Sequence, residues 1–381
     1  MTQTMYRFVV GALVILLLAS VARFYHPGFG FTALLGLSSR HQNEAPQLQR
    51  VPHYDPPTGG GYDGTYYVQR ALDPLVRDPA VDRAMDLAPF RARRILFSWT
   101  AWLLGLGRPS WIVEAYALQN VGFWLILAVL LTRWVAPTTA RGLALWIACL
   151  FANGVLMSIR LSLLDLPSLT LIAGAVLAAE RGRVLLSSAL IGISGLGRET
   201  NILAAVALPL PSDRAGWRRL LPAAALVVLP MAVWLDYLRS IYRSTLLEGT
   251  GQLVMPLTGL ASAWAGAVRD LPGHGPWSPE WGPFLLLLSL AAQALYLVVR
   301  RDIRSAWWRV ACTYAALMLV LSPVLADPHT GAITRVLLPL TIGFNVQLAR
   351  ETSNARFWLW FVVGNLDLLV APRVLPLFPF A

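Results

Sequence analysis

Long apolar runs recur along almost the whole chain, and they constrain its fold more than any other feature. Segments such as "FVVGALVILLLASVA" and "FWLILAVLL" carry no charge, and the loops between such runs contain arginine. A helix needs about 20 apolar residues to cross a bilayer, where its backbone polar groups must be satisfied internally. Only 13% of the 381 residues are charged, against about 25% in soluble domains. The sequence therefore predicts an all-α integral membrane protein.

The apolar runs predict about ten or eleven transmembrane helices in a single polytopic membrane domain, residues 1–381. Residues 184–211 fit either one kinked helix or two half-spans, and the first run is expected to be an uncleaved signal anchor. The predicted spans lie near 8–24, 111–132, 142–158, 167–179, 184–197, 200–211, 220–238, 283–299, 308–324, 332–348 and 357–371.

The basic residues indicate a membrane topology and argue against a nucleic-acid partner. The net charge is +11, every basic residue other than histidine is arginine, and most arginines fall in short loops between apolar runs. Arginine in short loops stays cytoplasmic. With the amino terminus inside, the short cytoplasmic loops hold more arginines than the short outer loops. This orientation predicts two extracytoplasmic loops, residues 24–110 and 239–282.

The first outer loop is the largest polar segment of the sequence. Its stretch "PPTGGGYDG" is turn-forming and is expected to contain no regular helix. The following segment is charged at first and then rich in Trp and Leu, which predicts interfacial helices anchored by Trp99 and Trp102. The second loop is rich in Pro, Gly and Trp, and we expect it to be irregular.

Ionisable residues inside apolar sequence are costly and therefore serve as functional candidates. Arg198 and Glu199 interrupt an otherwise apolar stretch, either as a structural ion pair or as part of a site. Asp63 is either a turn aspartate or a general base at a water-accessible mouth. Tyr66 and Tyr67 beside it offer ring faces suited to a sugar.

Three further arginines and one aspartate have two open interpretations each. Arg91 and Arg94 lie at i and i+3, where they either snorkel at the interface or hold a lipid-linked phosphate. Arg335 has the same alternatives at the start of a late span. Asp165 is expected to pair with Arg160 or to cap the helix near Pro167, with catalysis as the lesser alternative. No metal-ligand spacing is evident, so neither a metal nor a cofactor is predicted.

Four segments in this order carry a family resemblance: "GYDGTYYVQRALDP", "FRARRILFSWTAWLLGLG", "RLSLLDLP" and "GLGRETNIL". The chain resembles the multi-spanning bacterial glycosyltransferases of the GT-C type, which take sugars from polyprenyl-phosphate carriers. In that class an acidic residue of the first extracytoplasmic loop activates the acceptor hydroxyl, and the resemblance gives this role to Asp63. It also implies that Arg94, Arg198 and Arg335 contact the donor phosphate and that Glu199 positions one of them. Many members have two adjacent acidic residues there, whereas Asp63 has no acidic neighbour.

The resemblance implies an inverting, metal-independent enzyme of the bacterial inner membrane, with its site on the extracytoplasmic side. Its partners would be a polyprenyl-phosphate sugar, a glycan or lipid acceptor, and the membrane lipids. Two other classes stay open. A transporter or flippase for lipid-linked sugars would also bury charged residues in broken helices, and a non-catalytic scaffold would leave the Asp63 loop without a cavity.

Overall fold

The computed structural model describes residues 2–41, 43–57, 59, 61–209, 214–242, 251–271, 278–328 and 331–375, with only the backbone for 214–217 and 219–220. Every regular element in these ranges is a helix, and extended backbone pairs only at the isolated bridges His26–Gly30 and Leu253–Leu321. The prediction of an all-α protein is confirmed.

The helices follow one another in three groups. The first group is α1 (Gln3–Ala22), a 3-10 turn (Thr32–Leu35), α2 (Pro46–Gln49), α3 (Asp63–Leu72), α4 (Pro79–Arg83), α5 (Ala88–Ala92) and α6 (Leu96–Leu104). The second is α7 (Pro109–Leu131), α8 (Ala140–Leu150), α9 (Asn153–Arg160), α10 (Asp165–Glu180), α11 (Val184–Gly195), a 3-10 helix (Glu199–Ala207) and α12 (Arg214–Tyr242). The third is α13 (Thr258–Arg269), α14 (Trp281–Val299), α15 (Ala306–Val320), α16 (Pro323–Ala326), α17 (Ala332–Val336), α18 (Leu338–Leu348), α19 (Asn354–Gly364) and two 3-10 turns (Leu366–Leu369 and Ala371–Arg373).

Four helices among the described residues are long and apolar enough to cross a membrane: α1, α7, α14 and the Leu221–Tyr242 part of α12. Two bent pairs raise the number to six, namely α8 with α9, bent by 43°, and α19 with the turns that follow it, bent by 53°. The predicted ten or eleven spans included α11, α15 and α18, which are only 12, 15 and 11 residues long. Hydropathy reports apolar composition but not where a helix ends, which is why the predicted number is higher.

The long helices expose apolar side chains, as expected of surfaces that face lipid. Phe8 on α1 is 76% exposed, and Leu221 and Val233 on α12 are 76% and 66% exposed. Soluble proteins rarely leave such large apolar patches uncovered. The helical architecture and these surfaces are those of a helical membrane protein.

The first predicted loop, residues 24–110, contains the short helices α2 to α6. The turn prediction for "PPTGGGYDG" was wrong at its end, because Asp63 and Gly64 form the first turn of α3. Tyr62 before them is extended, with φ −143° and ψ −179°. An acidic residue is favourable in a first helical turn, where the helix dipole is positive.

The segment that starts at residue 184 and the second predicted loop both contain a helix of 12 residues. Over the described residues 184–209 the chain forms two segments, because α11 ends at Gly195 and a 3-10 helix begins at Glu199. The second predicted loop, 239–282, is not wholly irregular, since α13 runs over 12 of its residues. The sequence of α13, "TGLASAWAGAVR", is rich in alanine, the strongest helix former. Residues 243–250 and 272–277 of that loop lie outside the described ranges.

Close backbone approaches at two glycines position the segments that meet at the site. A Cβ on Gly64 of α3 would lie 2.5 Å from the Leu35 carbonyl oxygen and 2.6 Å from that of Leu161. A Cβ on Gly154 of α9 would lie 2.6 Å from the carbonyl oxygen of Thr334 in α17. The start of α3 and the start of α17 are therefore held by contacts that only glycine allows.

We expect Gly64→Ala to destabilise the protein, because the new methyl group must displace backbone on two sides. Overpacking of this kind costs about 1–3 kcal/mol. Thermal unfolding of the detergent-solubilised protein, followed by tryptophan fluorescence, measures the effect. The control is Gly122→Ala in α7, where a Cβ meets nothing within 4 Å. Equal unfolding temperatures for the two variants would contradict the close approach at Gly64.

Candidate functional site

A cavity of about 240 Å³ lies where the ends of five helical segments meet. Four arginines and two carboxylates line it. These charged residues come from the start of α3, from α5 and the residues after it, from the start of α10, from the break after α11, and from α17. They are Asp63, Arg91, Arg94, Asp165, Arg198 and Arg335.

Asp63 is held by Arg91 at one edge of the cavity. Arg91 Nη2 donates to Asp63 Oδ1 over 2.9 Å and to Asp86 Oδ2 over 2.7 Å, and Arg91 Nε donates to Asp86 Oδ1 over 2.9 Å. The guanidinium also lies 4.5 Å from the centroid of the Tyr66 ring. Two carboxylates thus surround Arg91, while the Asp63 side chain remains 34% exposed.

Arg94 is paired with a carboxylate from another part of the chain. Its Nε donates to Glu199 Oε2 over 2.9 Å, and its Nη1 donates to the Tyr67 hydroxyl over 3.4 Å. The same hydroxyl accepts from Arg91 Nη1 over 3.2 Å. Tyr67 is fully buried, so its hydroxyl joins Arg91 and Arg94 inside the protein.

Asp165 binds two arginines at once. Its Oδ1 accepts a hydrogen bond from Arg198 Nη1, and its Oδ2 accepts one from Arg335 Nη1 over 3.2 Å. Arg335 Nη2 also donates to the Tyr62 hydroxyl over 2.8 Å. Arg198 Nε is buried and has no hydrogen-bond partner among the residues that the structure describes. One negative charge therefore faces two positive charges, and one buried donor is left over.

The arginines keep Asp63 ionised. Burial by itself raises the pKa of this carboxyl, but the positive charges of Arg91, Arg335 and Arg94 outweigh burial and hold the pKa below its ordinary value. At neutral pH the side chain is a carboxylate that can accept a proton.

Tyr62 connects the charged cavity with a second one. The second cavity measures about 490 Å³, and its lining includes Arg160, Tyr54 and Gly61 beside Tyr62. The Tyr62 ring lies 5.3 Å from the Arg335 guanidinium, measured to its centroid. Burial raises the pKa of the Tyr62 hydroxyl, with the Arg335 charge opposing it, so the hydroxyl stays protonated.

The structure brings most of the predicted site residues together. Asp63, Arg91, Arg94, Asp165, Arg198, Arg335 and Tyr67 line the cavity, and Glu199 binds Arg94 beside it. Tyr66 does not line it, because its ring contacts Arg91.

The predicted pairing of Asp165 with Arg160 was wrong. Arg160 instead donates to the Ala33 carbonyl over 3.1 Å and lies over the ring of Phe24. The two arginines that Asp165 does bind are distant in sequence and close in space.

Four contributors were not predicted from the sequence. Asp86 orients Arg91, Tyr62 lies between the two cavities, and Phe90 and Gln252 line the charged cavity. The Arg94 guanidinium lies 4.2 Å from the centroid of the Phe90 ring. A signal existed for Tyr62, which directly precedes Asp63, and for Phe90, which directly precedes Arg91. Gln252 carries no such signal.

Comparisons with known proteins give no match: neither a family model, nor a curated protein, nor a solved structure is significantly similar to this chain. The cavity and the charges around it are therefore the basis on which a function is proposed.

We expect Asp165→Asn to lower the stability of the protein, because Arg198 and Arg335 would be left buried without a counter-charge. Removing one partner of a buried ion pair costs about 3–5 kcal/mol. Thermal unfolding in detergent measures the loss. The control is Asp236→Asn, whose side chain is 82% exposed and 4.0 Å from Arg239. If Asp165→Asn unfolds at the same temperature as the wild type, the shared carboxylate is dispensable for stability.

Proposed function

We propose that this protein is a membrane glycosyltransferase of the GT-C type. It would move a sugar from a polyprenyl-phosphate donor to a glycan or lipid acceptor on the extracytoplasmic side of the bacterial inner membrane. One observation carries the proposal: an ionised carboxylate, Asp63, shares a cavity with four arginines, and the described residues of the cavity lining contain only one other carboxylate, Asp165. A base and an anion site side by side are what glycosyl transfer from a lipid phosphate requires.

The donor phosphate is assigned to Arg198 and Arg335. Both lie beside Asp165, which neutralises only one of them, and Arg198 keeps one buried N–H without a partner among the described residues. Guanidinium groups bind phosphate oxygens through paired hydrogen bonds. A phosphate placed here would satisfy the donor and balance the charge.

Arg91 and Arg94 receive different roles. Two carboxylates already surround Arg91, so it is a positioning residue that orients Asp63. Arg94 is paired with Glu199, which matches the supporting role proposed for Glu199. Glu199 also lies 3.6 Å from Arg93, so one carboxylate faces two arginines and Arg94 still adds positive charge to the cavity. It would therefore help to neutralise the leaving phosphate from a second side.

The reaction follows from these positions. The acceptor oxygen forms a bond to the anomeric carbon as the bond from that carbon to the phosphate oxygen breaks. The electron pair of the broken bond stays on the phosphate, where the arginines stabilise it. Asp63 takes the proton of the acceptor hydroxyl, and attack opposite the leaving group inverts the anomeric carbon. The second cavity is assigned to the acceptor, and the ring of Tyr62 would contact a sugar between the two.

We expect Asp63→Asn to abolish transfer, because an amide cannot accept the proton. Loss of a general base lowers the rate by about 10²–10⁴-fold. Glycolipids and surface polymers are extracted from cells that lack the gene and from the same cells carrying the wild type or the variant. The sugar missing from the deletion strain should return with the wild type and stay missing with Asp63→Asn.

The matched control is Asp236→Asn, which changes an exposed aspartate that lines neither cavity. This variant should restore the sugar. Membrane levels of each variant are measured by immunoblotting. Restoration by Asp63→Asn at normal protein levels would contradict the proposal and favour a transporter or flippase, which needs no base at this position.

We expect Arg198→Gln to weaken donor use. A hydrogen bond to a charged group contributes about 1.5–3 kcal/mol, so the KM for the polyprenyl-phosphate sugar should rise roughly 10- to 100-fold. Transfer assays on purified protein in detergent, with donor concentration varied, separate KM from kcat. Arg239→Gln, an exposed arginine, is the control. An unchanged donor KM would remove Arg198 from the phosphate site.

A further inference from the structure

Two histidines and two carboxylates converge in the first loop, outside both cavities. His41 Nδ1 lies 2.9 Å from Glu44 Oε2, and His53 Nε2 lies 3.2 Å from Asp55 Oδ1. His53 Nε2 is 3.6 Å from Glu44 Oε2, and His41 Nε2 is 3.6 Å from Asp55 Oδ2. One ligand atom each from His41, His53 and Asp55 falls within 4.8 Å of the others. We call these four residues the histidine–carboxylate cluster.

Two buried atoms of this cluster lack a hydrogen-bond partner. His53 is 6% exposed, and its Nε2 makes no hydrogen bond among the described residues. Glu44 Oε1 is also buried and also makes no hydrogen bond there. On the other side of the His53 ring, Nδ1 lies 2.7 Å from the Val51 carbonyl oxygen. Because a carbonyl oxygen only accepts, that contact places one ring proton on Nδ1 and directs Nε2 towards the carboxylates of the cluster. Metal-binding histidines are oriented in this way.

We propose that the histidine–carboxylate cluster binds a divalent transition metal, with Zn²⁺ as the best fit. Zinc bonds to histidine nitrogen and carboxylate oxygen measure about 2.0–2.2 Å, which puts the ligand atoms of a tetrahedral site roughly 3.3 Å apart. The 3.2 Å between His53 Nε2 and Asp55 Oδ1 is close to this value. His41, His53 and Asp55 offer two imidazoles and one carboxylate, a donor set that suits zinc better than Mg²⁺ or Ca²⁺, which prefer oxygen ligands.

The position of the cluster gives the metal a structural role. Gln69 of α3 accepts a hydrogen bond from the Ala45 N–H over 2.6 Å and donates to the Asn43 carbonyl over 2.8 Å. Glu44 lies between these two residues, so the cluster is tied directly to α3, whose first residue is Asp63. A metal joining His41 to His53 and Asp55 would fix the loop before α3. The inference does not depend on the proposed function.

The test measures zinc on the full-length protein in detergent. The protein is stripped with EDTA, dialysed against Zn²⁺ and analysed by inductively coupled plasma mass spectrometry. We expect about one zinc per chain and a higher unfolding temperature with zinc than without. Losing an outer-shell partner already weakens metal binding about 10–100-fold, so His53→Gln, which removes a ligand, should weaken it at least as much.

Two further variants make the result decisive. Asp55→Asn keeps the shape of a side chain that is about half exposed, so we expect this variant to fold as the wild type does. It should also weaken zinc binding. His26→Gln removes a histidine of the same loop that stacks on Tyr54 instead, and it should bind zinc as the wild type does. A wild type without zinc overturns the proposal. Equal zinc in the wild type, His53→Gln and Asp55→Asn also overturns it, because the ion would then be adventitious.

Discussion

The shared carboxylate of Asp165 is the interaction on which the candidate site depends. It binds Arg198, 33 residues away, and Arg335, 170 residues away. Through these bonds the start of α10, the break after α11 and the helix α17 meet at one point. Because one carboxylate faces two guanidinium groups, the junction stays positively charged. The contact that assembles the cavity thereby also leaves the surplus positive charge that the proposed phosphate site requires.

The arginines of the cavity differ in how many carboxylates surround them, and their proposed roles differ accordingly. Arg91 lies between Asp63 and Asp86 and would orient the proposed base, whereas Arg198 retains a buried N–H without a partner in the described part of the chain. In a buried site an unsatisfied donor is costly. A ligand that accepts a hydrogen bond from the donor would offset this free-energy cost. The same reasoning links His53 Nε2, which is buried and makes no hydrogen bond among the described residues, to a metal in the histidine–carboxylate cluster.

The sequence predicted the members of the cavity better than their pairing. Asp63, Arg94, Arg198 and Arg335 stood out because charge inside apolar sequence is expensive, and all four line one cavity. Pairing depends on how distant segments pack, so Asp165 was matched to nearby Arg160 instead of its true partners. The predicted span number exceeds the four to six described helices or bent pairs that are long and apolar enough, because hydropathy does not mark helix ends. The histidine–carboxylate cluster escaped notice because α2 separates His41 and Glu44 from His53 and Asp55 in the sequence, and the two pairs meet only in the fold.

The late position of Arg335 has a consequence for biosynthesis. Asp165 and Arg198 emerge from the ribosome well before α17, and until then they form a one-to-one pair with no surplus charge. Arg335 adds the second positive charge beside Asp165 only when the last third of the chain joins the others. Under the proposed function, a nascent or truncated chain would therefore lack one of the two arginines assigned to the donor phosphate.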